Sequence, residues 1–539
     1  MAIIYRDKSA LIIDDFSEFR SGVRRMLEHY GMTDIQVAGT ADDGVAKAKK
    51  RPFDIYICDY NLGDGKDGQQ ILEELRHFGI VKHTSVFIMV TAENTQGMVL
   101  GALEYQPDCY LTKPLTKAVL KTRLDRMYNL KEAIWEVNNA MDEGNYKAAI
   151  KYCDENIGDK SKYMGFCIKT KANLLYKIGQ FEASRDLYDM LLEGRKVDWA
   201  VLGKAKSLFE LEDYDGAIIL FKDLIRENEM NLVAHDWLSR CYEMKNEPTE
   251  AQKTLELAVK KSPKAIKRQM KLGKLAKKNN DLDTATKAFR KTVRLGEHSV
   301  YRSSDNELNL AKALTEKAES DTTLAGKKAG QEALITLEAA EKKYRRDEKV
   351  QMQTRLVAAR VFVSQERESS AEQQLREAKE LKDKFVGDMD SSVVVEMAKT
   401  YRSMGNLDEA ASLLNEVSHA DANDELKADI EALVNDPEIM ERQAELNENN
   451  QLGVELYQQK ETDKAIDAFL LASEQTPTSA AINLNLAQAL VKRMQRDGKT
   501  KQDYEKCMIC LDHLKTLDGE NKRYKRYLEI CKIAASLKE

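Results

Sequence analysis

Proline is scarce in this chain, with 7 among 539 residues, so neither a proline-rich linker nor a series of proline-broken helices fits it. No apolar stretch reaches the roughly 18 uninterrupted residues that a membrane-spanning helix needs, which argues against membrane insertion. The opening stretch MAIIYRDKSALIID lacks a basic segment followed by a long apolar core, so a cytoplasmic location is expected. Cysteine is thinly spread: 8 residues, mostly within helical patterns, read as reduced buried side chains in a reducing compartment and not as a disulfide framework. Neither charge sign dominates. With 84 Lys and Arg against 90 Asp and Glu the net charge is −6, leaving no footprint for nucleic acid and no polybasic membrane patch.

What is abundant is charge as such, 32% of all residues, together with alanine and leucine, which points to a mostly helical protein. The first 130 residues differ from the rest. Short apolar, β-branched runs at Ala10 to Ile13, Ile35 to Val37, Ile55 to Cys58, Val86 to Val90 and Cys109 to Leu111 predict five buried strands. Between them, amphipathic stretches at about Ser17 to His29, Ala41 to Lys50, Asp67 to Phe78 and Asn94 to Glu104, and a fifth after Pro114, predict helices. Alternation of this kind implies an α/β sandwich on a parallel sheet, whose ligands bind beyond the carboxyl ends of the strands.

At those ends stand Asp14 and Asp15, Asp59 and Asn61, Thr91, and Lys113. Clustered aspartates repel one another unless a cation joins them, and Mg²⁺, which takes oxygen ligands and keeps several waters, suits a shallow acidic pocket. A carboxylate can also attack phosphorus while a cation and a lysine neutralise the phosphoryl oxygens, which makes Asp59 the candidate nucleophile.

The runs IIDD, ICDYNL, VTAE and CYLTKP, in that order, resemble a response-regulator receiver domain of the chemotaxis type. The resemblance implies a flavodoxin-like, five-stranded parallel sheet of order 2-1-3-4-5. It implies phosphorylation at Asp59 and Mg²⁺ held by Asp15, Asp59 and the backbone carbonyl of Asn61, with Asp14 acting through water. Thr91 and Lys113 would then grip the phosphoryl group. Tyr110 would turn inward behind Thr91 and remodel the face made by the helix at Asn94 to Glu104 and the one after Pro114. Lys113-Pro114 resembles the family's cis-proline turn, and Asn61 with Glu93 resembles the pair that sets fast dephosphorylation. A sensor histidine kinase or phosphotransfer protein is the implied partner, and a receiver-mediated homodimer is a further option.

Beyond residue 130 the phrases GNYKAAIKY, GQFEASRDLY, EDYDGAIILF and NDLDTATKAF recur about every 34 residues. Tyr146 and Ala149, Phe181 and Tyr188, Tyr214, Ala217 and Phe221, Ala251, Ala258 and Pro263, then Gly273, Ala285 and Phe289 fall at equivalent positions of the repeat. The later chain continues with Ala359, Ala371 and Leu375, with Ala398, Tyr401, Gly405 and Ala410, and with Gly453, Ala465, Phe469, Ala472 and Pro477. Residues 131–539 therefore resemble an all-α tetratricopeptide-repeat (TPR) superhelix of about eight to ten repeats, with insertions or bends expected at 317–331 and 419–450. The resemblance implies binding of another protein; the aromatic and small positions themselves read as core. Between Pro114 and Gly144 there is neither glycine nor proline, so one helical pattern crosses the boundary and the receiver's last helix should run into, or pack on, the first repeat.

Three motifs carry less. Cys507, Cys510 and His513 share a helix side but have no second cysteine pair, so buried cysteines outweigh a metal site. Glu-Ala-Leu at 332–334 and 431–433 matches the name-giving motif of cyclic-di-GMP phosphodiesterases without that family's other acidic motifs. Gly498-Lys499-Thr500 has Arg493 where a phosphate-binding loop needs glycine. The resulting expectation is a phosphorylation-controlled scaffold, with no enzymatic output beyond phosphoryl chemistry at Asp59. A constitutive adaptor, a phosphate sink and a DNA-binding regulator are the alternatives; the last lacks a basic recognition helix.

Overall fold

The computed structural model describes residues 5–63, 65–92, 107–159, 161–385, 389–414, 424–475, 479–514 and 524–536. The chain forms two compact units, Met1–Asn306 and Glu307–Glu539.

The first unit opens with five strands, β1 (Ser9–Ile13), β2 (Asp34–Ala38), β3 (Ile55–Asp59), β4 (Val86–Thr91) and β5 (Cys109–Thr112). All pairings are parallel and the order is β2-β1-β3-β4-β5, the flavodoxin-like arrangement. Each central strand is apolar on both faces because helices cover both. Ile12, Ile57, Ile88 and Val90 pack with Val23 and Leu27 of α1 (Ser17–His29) and with Leu120 and Leu124 of α4 (Lys117–Ala133). On the opposite face Leu11, Ile13, Cys58 and Met89 pack with Val45 of α2 (Ala41–Lys50) and with Ile71 and Leu75 of α3 (Gly68–His77). Strand and helix thus fall where the apolar runs predict them, within one residue at each end. The stretch Asn94 to Glu104 lies outside the described residues.

The helical pattern that crosses residue 130 is two helices and not one. It breaks at Ile134 (φ −117°, ψ 28°), and the next helix is Trp135–Asp142. Ile134 is buried among Val137, Ala140, Ala149 and Cys153, so the chain turns there to seat it in the first helix pair while Leu120 and Leu124 stay on the sheet. The last receiver helix packs on the first repeat through Leu130, against the cluster of Ile134, Val137 and Ala140, while Lys131 Nζ stays within the receiver, 2.8 Å from Asp108 and 2.6 Å from the carbonyl of His83. Asp142 accepts from the His83 and Thr84 amides and from the Thr84 hydroxyl.

From Trp135 onward the described residues are helical pairs joined by short turns. A left-handed residue recurs once per pair, at Gly144, Gly179, Glu212, Asn246 and Asn280, where each first helix ends. Side chains interlock by a repeated exchange of small for aromatic. A Cβ on Gly273 would lie 2.5 Å from Phe289, one on Gly453 2.5 Å from Phe469, and one on Gly203 2.2 Å from Tyr188. Residues 317–331, expected as an insertion or bend, are instead mostly the end of helix Ser304–Ser320 and the start of helix Leu324–Lys343. These helices are long, and Gly326 and Gly330 are buried, so the polar composition marks a longer helix pair and not an interruption. In the second expected irregularity Pro437 begins helix Pro437–Gln458, in the first turn, where no intrahelical amide donor is needed, with Asp436 as its cap. Pro477 lies outside the described residues. No described helix is long and apolar enough to cross a membrane.

Candidate functional site

The strands β1 and β3 are adjacent, so the residues that end them meet. Asp14, Asp15 and Asp59 place one carboxylate oxygen each within 4.8 Å of one another. Asp14 is wholly buried and Asp59 nearly so, whereas Asp15 faces solvent. Asp14 is fixed from two directions: its Oδ1 accepts from the Phe16 amide at 2.9 Å, and its backbone carbonyl accepts from Arg20 Nη1 at 2.6 Å.

Lys113 arrives from the end of β5 over a cis Lys113–Pro114 peptide. Its Nζ lies 2.8 Å from Asp14 Oδ2 and 2.8 Å from Asp59 Oδ2, and stands 4.2 Å from the Phe19 ring centroid. Burial pushes the Asp59 carboxyl above its ordinary value, and Lys113, by hydrogen bond and by charge, pulls against that while Asp14 adds to it. The Lys113 ammonium is itself desolvated, yet Asp14 and Asp59 hold its pKa above the usual lysine value. One cation against three carboxylates leaves the cluster with excess negative charge. Hard oxygen donors with one open, solvated member are the donor set of a small divalent cation, so the residues fit Mg²⁺.

Thr91, 1% exposed, ends β4 in register with Thr112, and its carbonyl accepts from the Lys113 amide at 2.7 Å. Tyr110 is half-buried on the α2/α3 side of the sheet. Asn61 is exposed in the loop after β3, where its Oδ1 accepts from the Gly63 amide and its own amide bonds the Asp59 carboxylate. Glu93 lies outside the described residues.

Two features escaped the sequence reading. Gly68, the first residue of α3, donates its amide to the Tyr60 carbonyl at 2.8 Å, and a Cβ there would lie 2.1 Å from the Asp59 carbonyl oxygen. The other is the aromatic seat for Lys113 made by Phe16 and Phe19 at the start of α1. A glycine at a helix start and an i, i+3 aromatic pair are too common to signal either role.

Residues 10–125 match the response regulator receiver domain family, and residues 202–266 match the tetratricopeptide repeat family. The chemotaxis protein CheY-3 of Vibrio cholerae is 32% identical over 127 residues, which span 24% of this chain and 96% of that protein. The chemotaxis protein CheY of Pseudomonas aeruginosa is 30% identical over 118 residues, 22% of this chain and 94% of that one. The chain belongs to the response-regulator receiver family. A CheY-like response regulator receiver domain protein from Methanospirillum hungatei is similar at 26% identity, with a TM-score of 0.21, covering 23% of this chain and 97% of that one. This response regulator therefore joins a receiver, which assigns it to two-component signalling, to a long helical region that contains TPR sequence.

Proposed function

We propose that residues 1–130 form a receiver phosphorylated on Asp59 by a sensor histidine kinase or phosphotransfer protein, and that residues 131–539 form a TPR scaffold whose protein partner is gained or lost with that phosphorylation. In this reading an Asp59 carboxylate oxygen attacks the donor phosphorus, and the donor's leaving atom departs with the bonding pair. Asp15, Asp59 and the Asn61 carbonyl would hold Mg²⁺, with Asp14 behind a water; the ion supplies charge neutralisation on the phosphoryl oxygens. Lys113, already bridging Asp14 and Asp59, exchanges a carboxylate partner for a phosphoryl oxygen, and the Thr91 hydroxyl provides the second grip. Tyr110 is the aromatic switch residue, Pro114 sets the turn that aims Lys113, and Asn61 with Glu93 tunes loss of the phosphoryl group. The scaffold would act in the cytoplasm, where its phosphodonor is found.

The observation that carries control by phosphorylation is the double contact of α3. Its first residue, Gly68, leaves no space against the Asp59 backbone, while its other side chains meet the repeats of the same unit. Gln70 Nε2 lies 3.5 Å from the Leu295 carbonyl, and the His77 and Tyr301 rings meet edge to face at 6.2 Å. Asp67, which caps α3, feels the Lys264 ammonium. A displacement at Asp59 therefore has a stiff element through which to reach residues 264–301, besides the junction at Asp142.

The test compares wild type with Asp59→Asn, both treated with a small-molecule phosphoryl donor and Mg²⁺. Mass spectrometry should find one added phosphoryl group on wild type and none on the variant. Recovery of a lysate partner should differ between them; equal recovery of the same partners would leave a constitutive adaptor or a phosphate sink.

A further inference from the structure

In the repeats of the first unit, several cations that lie between helices have carboxylate partners. Lys171 reaches Asp154 at 2.5 Å, Lys204 reaches Asp189 at 2.5 Å, Arg268 reaches Asp236 at 2.7 Å and Lys271 reaches Glu243 at 2.6 Å. Others rest on aromatic rings, such as Lys177 on Tyr146 at 4.1 Å and Lys267 on Tyr301 at 4.2 Å; Lys206 and Arg240 belong to this second group, and among the described residues neither has a carboxylate within salt-bridge distance. They share an aromatic ring instead. Lys206 Nζ lies 5.3 Å and Arg240 Cζ 4.1 Å from the centroid of Trp237, and Arg240 also covers Phe209 at 4.8 Å.

Trp237 cannot give way beneath them, because Phe209 meets it edge-on at 5.2 Å and Phe221 stacks on it at 6.4 Å. Two like charges therefore converge on a rigid aromatic floor. Burial, and then the neighbouring Arg240 guanidinium, lower the pKa of Lys206 below that of an ordinary lysine. An opposite charge from outside would offset the repulsion and favour the charged form of Lys206, and cation–π contacts leave the outward N–H donors of both groups available to it.

We propose that Lys206 and Arg240, set on Trp237, dock an acidic segment of the partner polypeptide. This names the partner chemistry of the scaffold proposed above and rests on that reading. Two cations over one ring match one or two carboxylates, whereas a nucleic-acid strand needs a continued track of cations along its phosphates. Here the track is interrupted. Glu210, next to Phe209, is committed to the Tyr176 hydroxyl at 2.6 Å and stands in the way of such a track, which a contact of one or two carboxylates does not need to extend past. The partner's carboxylates would take the guanidinium and ammonium N–H donors, and its apolar atoms would rest on the exposed edge of the indole.

The test uses the full-length protein and a fluorescein-labelled poly-glutamate peptide followed by anisotropy, with a serine-glycine peptide and a uridine oligonucleotide as controls. Poly-glutamate should bind, lose affinity with added salt, and perturb the emission of Trp237 in a Trp135→Phe, Trp199→Phe background. The double variant Lys206→Gln, Arg240→Gln should weaken binding by about tenfold or more, the scale of one lost desolvated charge pair. Circular dichroism of that variant should match wild type, since neither residue holds the fold through an ion pair. Unchanged peptide affinity in the folded double variant, or an indole that does not respond, overturns the docking site. So does a uridine oligonucleotide that binds as tightly as poly-glutamate. None of these outcomes touches the scaffold reading, which the Asp59→Asn comparison decides separately.

Discussion

The two units place cations between helices of the same repeat type and treat two groups of them in opposite ways. In the first, Lys206 and Arg240 face an indole with no carboxylate partner among the described residues. In the second, Arg360 is 5% exposed and its whole guanidinium is spent on carboxylates: Nη1 on Glu396 at 2.6 Å, Nε and Nη2 on Glu319 at 2.9 and 2.7 Å. Lys312 adds a second cation to Glu396 at 3.3 Å, and Lys399 reaches Asp429 at 2.8 Å. Around Arg360, where each cation is answered by a carboxylate, the array has used them to fix its own helices. Where two are not, it has kept them for something else. A repeat architecture thus separates holding from binding by pairing, with no change of fold.

Removing the central cation of the paired network is the strongest way to break the comparison. Arg360→Leu leaves Glu396, 2% exposed, without its closest countercharge, and should destabilise the second unit by about 3–5 kcal/mol. Urea unfolding followed by hydrogen exchange resolved by segment would read it; a loss below about 1 kcal/mol would mean that Lys312 alone holds Glu396. The glycines that receive aromatic rings provide a control common to both units. Gly273→Leu in the first and Gly453→Leu in the second each drive a side chain into a phenylalanine 2.5 Å from the new Cβ, and each should cost about 1–3 kcal/mol or more. Similar losses at these two sites would show that the units differ in charge and not in packing.

Acid should separate the units further. Glu396 is desolvated, but Lys312 and then Arg360 and Lys399 hold its carboxyl well below the usual range; Asp390, bonded to Ser392, is pushed down to about 2. Both contribute stability that is complete above the unfolded carboxylate values of about 4 and is lost as pH falls through the folded ones. In the first unit burial raises the Asp67 carboxyl, against the α3 amides and Lys264. Its sign is reversed: the folded state binds that proton more tightly, so its contribution is present below the unfolded pKa and fades as pH rises through the folded one. Hydrogen exchange between neutral pH and pH 3 should therefore show the helices around Glu396 losing protection while α3 is spared. Equal loss in both would remove the contrast.

How much of this was legible in the sequence divides along the same line as the physics. The receiver site was readable because an α/β sheet delivers strand-end residues to one place. Asp14, Asp15, Asp59, Thr91 and Lys113 needed only their position after an apolar run. The repeats were readable as a period, since Gly273 with Phe289 and Gly453 with Phe469 recur at one spacing. The break at Ile134 was not, because a buried β-branched residue looks the same in a continuous helix as at a turn between two. Nor was the contact of α3 with residues 264–301, whose partners lie some two hundred positions apart and carry no common pattern. Lys206 and Arg240 were equally silent: in a chain that is 32% charged, an unpaired lysine reads like a paired one until its neighbours in space are known.

The smallest effect expected is also the one that sharpens the comparison most. Replacing both Lys206 and Arg240 by glutamine removes two positive charges that repel each other and have no described carboxylate partner. The lost cation–π attraction, about 0.5–1 kcal/mol for each exposed contact, is offset by relief of that repulsion. Net stability should therefore move by less than about 1 kcal/mol in urea, against several for Arg360→Leu in the other unit. A large loss would mean that the two cations are structural after all, holding Trp237 against Phe209 and Phe221. A negligible one leaves them as groups the fold does not need, which is what a surface kept for a partner requires.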